Sequence, residues 1–162
     1  MLSRMANINR SVLIDLSILL ALALIGVVGY KLSPLLLAPA DITATPEAGC
    51  DLQRQACRAA LPDGRSIELS IAPRPIPVVA PLAVTATLNG FTAQSVVIDF
   101  AGVTMNMGLN RTTLNSSDQR HFAGESTLPV CVTGRMAWQA TALIAAEGQK
   151  IAATFLFDAP LD

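Results

Sequence analysis

The sequence predicts an all-β domain preceded by one N-terminal transmembrane helix. The first observation behind this is an apolar stretch from Ser11 to Tyr30 in which Asp15 is the only charged residue. The second is a series of short apolar runs after it, separated by turn residues and without a convincing amphipathic helix. The 162 residues allow about one compact domain plus this appendage.

The apolar stretch, SVLIDLSILLALALIGVVGY, is long enough to span a bilayer. A helix rises ~1.5 Å per residue, so this stretch covers a hydrocarbon core of ~30 Å. We therefore place a cytoplasmic N-terminus at residues 1–10 and a transmembrane helix, acting as a signal anchor, at residues 11–32. Asp15 lies near the cytoplasmic end of this helix, where a carboxylate can stay hydrated.

The charges flanking the helix predict its orientation. Arg4 and Arg10 precede it, whereas Lys31 is the only base for a long way after it. The positive-inside rule therefore places the remainder of the chain outside the cytoplasm. A cleaved signal peptide is the alternative, because residues 38–40 (APA) resemble a cleavage site; however, the apolar stretch exceeds the usual ~7–15 residues of a signal peptide, which favours a retained anchor.

Residues 33–49 contain three prolines among small residues, which predicts a tether, with the folded domain at residues 50–162. An oxidising compartment favours disulfides, and Cys50 and Cys57 are close enough in sequence to form one. Cys131 is then left over. An odd cysteine outside the cytoplasm is buried and inert, paired with another chain, or a working thiol.

Strand signals follow one another along the domain. Residues 67–71 and 82–88 alternate apolar and polar side chains, and the second run ends at Asn89-Gly90, a strong hairpin signal. Glu147-Gly148-Gln149 predicts another turn. The remaining predicted strands lie at residues 95–100, 105–114, 120–128, 135–146 and 150–157.

About seven short strands at regular spacing predict a two-sheet antiparallel β-sandwich of immunoglobulin-like size, with a small barrel as the runner-up. Residues 140–146 could be helical by propensity, but the flanking Trp138 and Thr141 favour a strand. We expect Trp138 and Phe155 to lie in the core.

The residue inventory argues against an enzyme. His121 is the only histidine, which excludes a histidine-rich metal site, and no nucleophile elbow or phosphate-binding glycine loop is present. From Asp41 onward the sequence contains eight basic and eleven acidic residues, which gives a net charge of −3. It contains no basic stripe, and this argues against nucleic acid as a partner. We therefore expect no catalytic and no organic-cofactor residues.

The segment TMNMG, residues 104–108, suggests a metal site. Met105 and Met107 are two residues apart, so on a strand they project from the same face. Thioether sulfur prefers monovalent copper and needs no deprotonation, and Cys131 would supply a third sulfur. Met136 or His121 could substitute or add. The alternative is that the methionines fill a core and that Cys131 is a small buried hydrophobe.

Residues 97–157 resemble the FixH-like and YtkA-like families. The similar segments are VIDFAGVTMNMGLNRTTL, HFAGESTLPVC, GRMAWQATALI and ATFLF. The resemblance implies an N-terminal helix, an immunoglobulin-like sandwich on the periplasmic side of a bacterial inner membrane, and a role in copper handling or assembly of respiratory oxidases. It points to Met105 and Met107 as ligands, with Gly102 and Gly108 allowing the backbone to bend around them.

The resemblance and the residue types together predict a protein that binds copper(I). The resemblance points to Met105 and Met107 as ligands, and Cys131 is added for the chemistry of its thiolate, not by the resemblance. The expected partners are a respiratory oxidase or a copper chaperone. The methionine segment contains no histidine, so binding of divalent copper is not expected. Two alternatives stay open. One is a metal-free interaction module that docks onto a membrane complex through a strand edge or its proline segment, and the other is redox chemistry at Cys131.

Overall fold

The computed structural model describes residues 10–36, 40–105, 108–129 and 136–159, in two compact units divided after Pro39. The first unit contains helix α1, Arg10–Leu36, which includes the predicted span and runs a few residues past it. Within α1, Val12–Gly29 has a mean hydropathy of 2.6 and exposed side chains. By length and composition this helix can cross a membrane, as an anchor or as a signal sequence.

The second unit is all β, as predicted for its class, and its described part contains nine strands. Seven was therefore too low a number. The strands are β1 (Ile42–Pro46), β2 (Cys57–Ala60), β3 (Ser66–Ala72), β4 (Leu82–Asn89), β5 (Ser95–Gly102), β6 (Arg111–Leu114), β7 (His121–Ser126), β8 (Met136–Ala146) and β9 (Gln149–Ala159).

The nine strands form one barrel-like sheet in the order β6-β5-β8-β9-β1-β2-β3-β4-β7. A bridge between Asn115 and Ala123 joins the end of β6 to β7, so the first and last strands of this order meet. This arrangement is nearer to the runner-up prediction of a small barrel than to two separate sheets. Strand β1 lies within the predicted tether, pairing in parallel with β9 and antiparallel with β2.

Strands β8 and β9 form the longest hairpin, paired over eleven residues from Ala146↔Gln149 to Met136↔Ala159. Glu147 and Gly148 form its two-residue turn with φ of 52° and 76°, a left-handed conformation that matches the twist of the strands. Alternate residues of β8 are buried, Trp138 among them. A period of two suits one face of a sheet, and the helical alternative for residues 140–146 is therefore wrong.

The hairpin predicted at Asn89-Gly90 does not form. Gly90 has a φ of 88°, so the chain does turn there, but β4 pairs with β3 and β7 while β5 pairs with β6 and β8. The connection is buried at Phe91 and Ala93, and the Ala93 N–H donates to the Gln119 carbonyl at 2.9 Å. Because these two side chains are buried, the chain crosses the barrel from β4 to β5 instead of returning alongside β4.

The barrel has two ends, which we name by what lies there. The hairpin end contains Gly148, the end of β4 and the start of β5, since Ser95 pairs with Ala145. The methionine end contains Gly102 and Met136, the last residue of β5 and the first of β8. The chain enters the barrel at the hairpin end, where the Asp41 N–H donates to the Lys150 carbonyl at 2.7 Å.

Candidate functional site

Met105 lies at the methionine end, in a bend three residues after β5, and 40% of it is exposed. Among the described residues of the predicted strand at 105–114, Arg111–Leu114 forms β6, and Met105 lies in a bend instead. Gly108 has a φ of 77°, which supports the predicted bend at this glycine. The other two predicted ligands, Met107 and Cys131, lie outside the described residues.

A second methionine approaches the bend that carries Met105. Gly102 has no room for a side chain: a Cβ there would lie 2.6 Å from the Met105 carbonyl oxygen, 2.7 Å from Met136 Cε and 3.3 Å from Met136 Sδ. The thioether of Met136 and the backbone of Met105 therefore converge on the same glycine. Met136 is 4% exposed and begins β8, so its sulfur is held in place by the core.

From the sequence alone, Met136 is only a possible addition to the site. Its alternation with Trp138 and Ala140 was the signal that its side chain points inward. What the sequence did not show is the register of β8 against β5, which pairs Trp138 with Gly102 and so brings Met136 to the Met105 bend. Gly102 is thus required by close approach rather than by a left-handed φ.

We expect Gly102→Ala to lower the free energy of unfolding by about 1–3 kcal/mol, because the added methyl group forces the Met105 bend and Met136 apart. Urea unfolding of the full chain in a mild detergent measures this. Val103→Ala is the matched control: its side chain is 52% exposed, so its change should stay within about 0.5 kcal/mol. Equal unfolding midpoints for the two variants would show that Gly102 is not tightly packed.

His121 does not belong to this site. It pairs with Thr87 near the hairpin end, is 69% exposed in its side chain, and its Nδ1 lies 2.5 Å from Asp118 Oδ2. At about 3.3 Å per residue, the eight residues of β5 separate the two barrel ends by about 23 Å. The expectation that His121 could add to a site at Met105 is therefore wrong.

Asp118 organises the turn at the hairpin end. The side-chain hydrogen bond with His121 holds the pKa of the Asp118 carboxyl well below its usual range, helped by the backbone N–H groups of His121 and Arg120 at 2.8 and 3.0 Å. These contacts fix the turn that leads into β7. The hydrogen-bond partner of the single histidine is thus Asp118, at the hairpin end of the barrel.

A groove of about 730 Å³ also opens at the methionine end. The predicted disulfide between Cys50 and Cys57 is present, with a Cα–Cα distance of 5.7 Å, and closes the loop along one side of this groove. The Gln53 amide fixes that loop: it donates to the Asp158 carbonyl and accepts from the Ile76 N–H at 2.6 Å. The groove is lined by Gly49, Cys50, Asp51, Gln53, Arg54, Pro75, Val103, Ala137, Leu156, Phe157 and Asp158.

Exposed apolar side chains of the barrel gather at this same end. Outside α1, the large hydrophobic residues that are exposed in the described part of the chain all follow β5, precede β4 or lie in the last third of β9. Each of these positions is at or near the methionine end. They are Val79, Val103, Met105, Leu109 and Leu156.

The described residues contain no group of three His, Cys, Asp or Glu side chains that could hold a metal ion. The potential ligand atoms that approach Gly102 are the Met136 thioether sulfur and the Met105 carbonyl oxygen. Thioether is a soft ligand suited to monovalent copper.

Comparison with known proteins identifies no family. No family model matches the sequence, and no curated protein matches it. Among solved structures, an engineered protein studied by the Northeast Structural Genomics Consortium matches with a TM-score of 0.42 and 19% identity, over 57% of this chain and 20% of that one. The chain thus spans about a fifth of that protein, and a likeness this weak carries no argument. The chain is described by its own architecture: an N-terminal apolar helix followed by a barrel-like β domain, whose described part contains nine strands and the Cys50–Cys57 disulfide.

Proposed function

We propose that the chain is a non-enzymatic, membrane-anchored protein that binds monovalent copper as cargo at the methionine end of its β domain. The ligands are Met105, Met107 and Cys131, with Met136 added. The observation that carries the proposal is the convergence of the Met136 thioether and the Met105 bend on Gly102. Met136 and Met105 then share one site, in which Met136 is held by the core and Met105 is reachable by solvent.

The chemistry of these side chains favours the monovalent ion. Thioethers bind soft metals without losing a proton, and a thiolate adds charge neutralisation. Divalent copper prefers imidazole, and the single histidine lies at the opposite end of the barrel with its own carboxylate partner. A site built from sulfur alone can take up copper(I) and pass it to another set of sulfur ligands.

The proposed location is the periplasmic side of a bacterial inner membrane, with α1 as the retained anchor and its N-terminus in the cytoplasm. The Cys50–Cys57 disulfide supports an oxidising compartment, and the apolar α1 supports membrane attachment. The resemblance to FixH-like and YtkA-like proteins supports a role in copper delivery to, or assembly of, a respiratory oxidase, with a copper chaperone as the alternative partner. The nine strands would then be an extended form of the seven-stranded immunoglobulin-like layout.

Titration of the full chain in detergent with copper(I), against a competing copper(I) chelator, tests the proposal. We expect one ion per chain. Replacing Met105 and Met107 together by leucine keeps the volume and removes the sulfur, and should weaken binding at least about tenfold, since even outer-shell changes cost 10–100-fold. Met136→Leu should also weaken it. Leu156→Ala, which removes an exposed groove side chain with no sulfur, is the control and should bind as the parent does. Undiminished binding by the methionine variants would refute the ligand assignment.

A metal-free docking module is the second candidate function. The observation favouring it is that the exposed large apolar residues of the described β domain lie at or near the methionine end, where Val103 and Leu156 also line the groove. Exposed apolar surface of this kind is typical of an interaction site. In this case Met105 contributes a hydrophobic contact, and neither the parent nor the variants retain copper(I) against the chelator.

A further inference from the structure

Strand β9 has an open edge along the groove. On one side β8 pairs with its whole length. On the other side β1 pairs only from Ile42↔Ile151 to Ala44↔Ala153, after which β1 leaves to pair with β2 at Thr45↔Ala60. Residues 154–159 therefore have a strand partner on one side only, within the described part of the chain. The groove lies along this seam, since it is lined by residues 156–158 of β9 and by the disulfide loop.

The backbone groups of Leu156 point into this seam. In an antiparallel hairpin, successive residues direct their N–H and C=O groups alternately toward and away from the partner strand. The backbone carbonyls of Lys150 and Asp158 point away from β8. The Lys150 carbonyl accepts a hydrogen bond from the Asp41 N–H, and the Asp158 carbonyl accepts one from the Gln53 amide. Leu156 lies an even number of residues from both Lys150 and Asp158 along β9, so its N–H and C=O also point away from β8 and toward the groove.

The side chains around this edge suit an apolar strand. Leu156 is 61% exposed and Val103 is 52% exposed, and both line the groove. An extended peptide paired with β9 would place one of its apolar side chains against Leu156. Main-chain pairing then provides affinity, and the alternating side chains provide selectivity.

The charges of the groove favour a basic segment. Asp51 and Asp158 face one base, Arg54, and that base pairs weakly with Asp51 at 3.7 Å. Asp158 is exposed and has no ion pair among the described residues. A second copy of the chain would bring two such acidic grooves together, so charge complementarity selects a different protein.

We propose that the groove accepts an extended segment of a partner protein, which adds to the open edge of β9 as a further strand, with an apolar side chain on Leu156 and a lysine or arginine beside Asp158. This goes beyond copper binding and does not depend on it, because the described residues that line the groove include none of the proposed copper ligands. The partner is thus defined by an exposed, alternating apolar segment with a basic residue.

The probe is a fluorescent synthetic peptide of about ten residues with blocked ends, alternating valine and threonine, with a central leucine and a lysine near each end. Fluorescence anisotropy measures its binding to the full chain in detergent, with a copper chelator present throughout. We expect saturable binding, with the Leu156 amide of the protein protected from hydrogen exchange. A glutamate version should bind about three- to tenfold more weakly, and a version with alternate prolines should not bind, because it lacks the ladder donors.

Variants of Leu156 test the edge itself. Leu156→Pro removes the N–H that faces the groove while sparing the bonds to β8, and should abolish binding. Leu156→Ser keeps the backbone and should weaken binding about tenfold through lost apolar contact, so it carries the test if the proline variant does not fold. Leu109→Ser is the matched control, an 82% exposed leucine outside the groove lining, and should bind as the parent does.

Three results would overturn the proposal. The first is absence of binding by the lysine peptide, and the second is equal binding by the parent and Leu156→Ser. The third is a parent dimer, detected by light scattering, that becomes a monomer in Leu156→Ser, because the occupant of the edge would then be a second copy of this chain.

Discussion

Trp138→Ala is expected to lower the free energy of unfolding by about 3–5 kcal/mol, the largest effect of any change considered for this protein. Trp138 is 1% exposed and is the only tryptophan in the chain. It lies between Gly102 on β5 and Phe157 on β9, the two strands that flank β8. Truncation removes the transfer free energy of the indole and leaves a cavity next to Met136, so the methionine end should lose its packing first.

Urea unfolding of the full chain in detergent, followed by far-ultraviolet circular dichroism, measures this change without needing the tryptophan signal. Trp138→Phe preserves an aromatic ring and should cost clearly less than alanine. Leu156→Ala, on the adjacent strand but 61% exposed, should change stability by about 0.5 kcal/mol or less. If alanine at position 138 cost no more than alanine at position 156, the barrel core would not be packed around the indole.

Removal of the disulfide should have the second largest effect. Replacing Cys50 and Cys57 together by alanine opens a loop of about eight residues, for which the chain-entropy relation gives about 2.5 kcal/mol. The loop forms one side of the groove, and Gln53 within it holds the Asp158 carbonyl. Loss of the bridge should therefore loosen the groove as well as lower stability.

Thermal unfolding of the parent with and without dithiothreitol, beside the double alanine variant, checks this. The reduced parent and the variant should unfold at similar temperatures, both below the oxidised parent, and reductant should not change the variant further. The lysine peptide should also bind the variant more weakly, because the loop no longer confines the groove. A reductant-insensitive parent would contradict the structural role of the bridge.

The two features of the methionine end are compatible. Copper(I) binding would use Met105 and Met136 around Gly102, whereas strand addition would use the edge of β9 at Leu156. Val103 connects them, since it follows Gly102 and also lines the groove. A partner strand held at β9 would thus lie beside the methionine bend, a suitable position for metal transfer.

Local sequence patterns were sufficient for much of the fold. The apolar stretch predicted α1, and alternation predicted β3 and β4. The long run that ends at the Glu147-Gly148 turn predicted β8 and its hairpin with β9. Two short strands were missed: Ile42–Pro46 contains a proline and sits among tether-like residues, and Cys57–Ala60 has only small side chains around Arg58. Such strands are extended because neighbouring strands pair with them.

The sequence by itself determined an apolar N-terminal helix, an all-β domain and a cysteine pair, because each depends on composition or on spacing over a few residues. Tertiary structure alone decided which strands are neighbours. It made the chain cross the barrel after the Asn89-Gly90 turn, placed His121 at the far end from Met105 and brought Met136 to Gly102. It also left residues 154–159 of β9 with a strand partner on one side only, among the residues that the structure describes. The physical reason is that strand pairing and register depend on burying side chains from distant parts of the chain together, which local patterns do not encode.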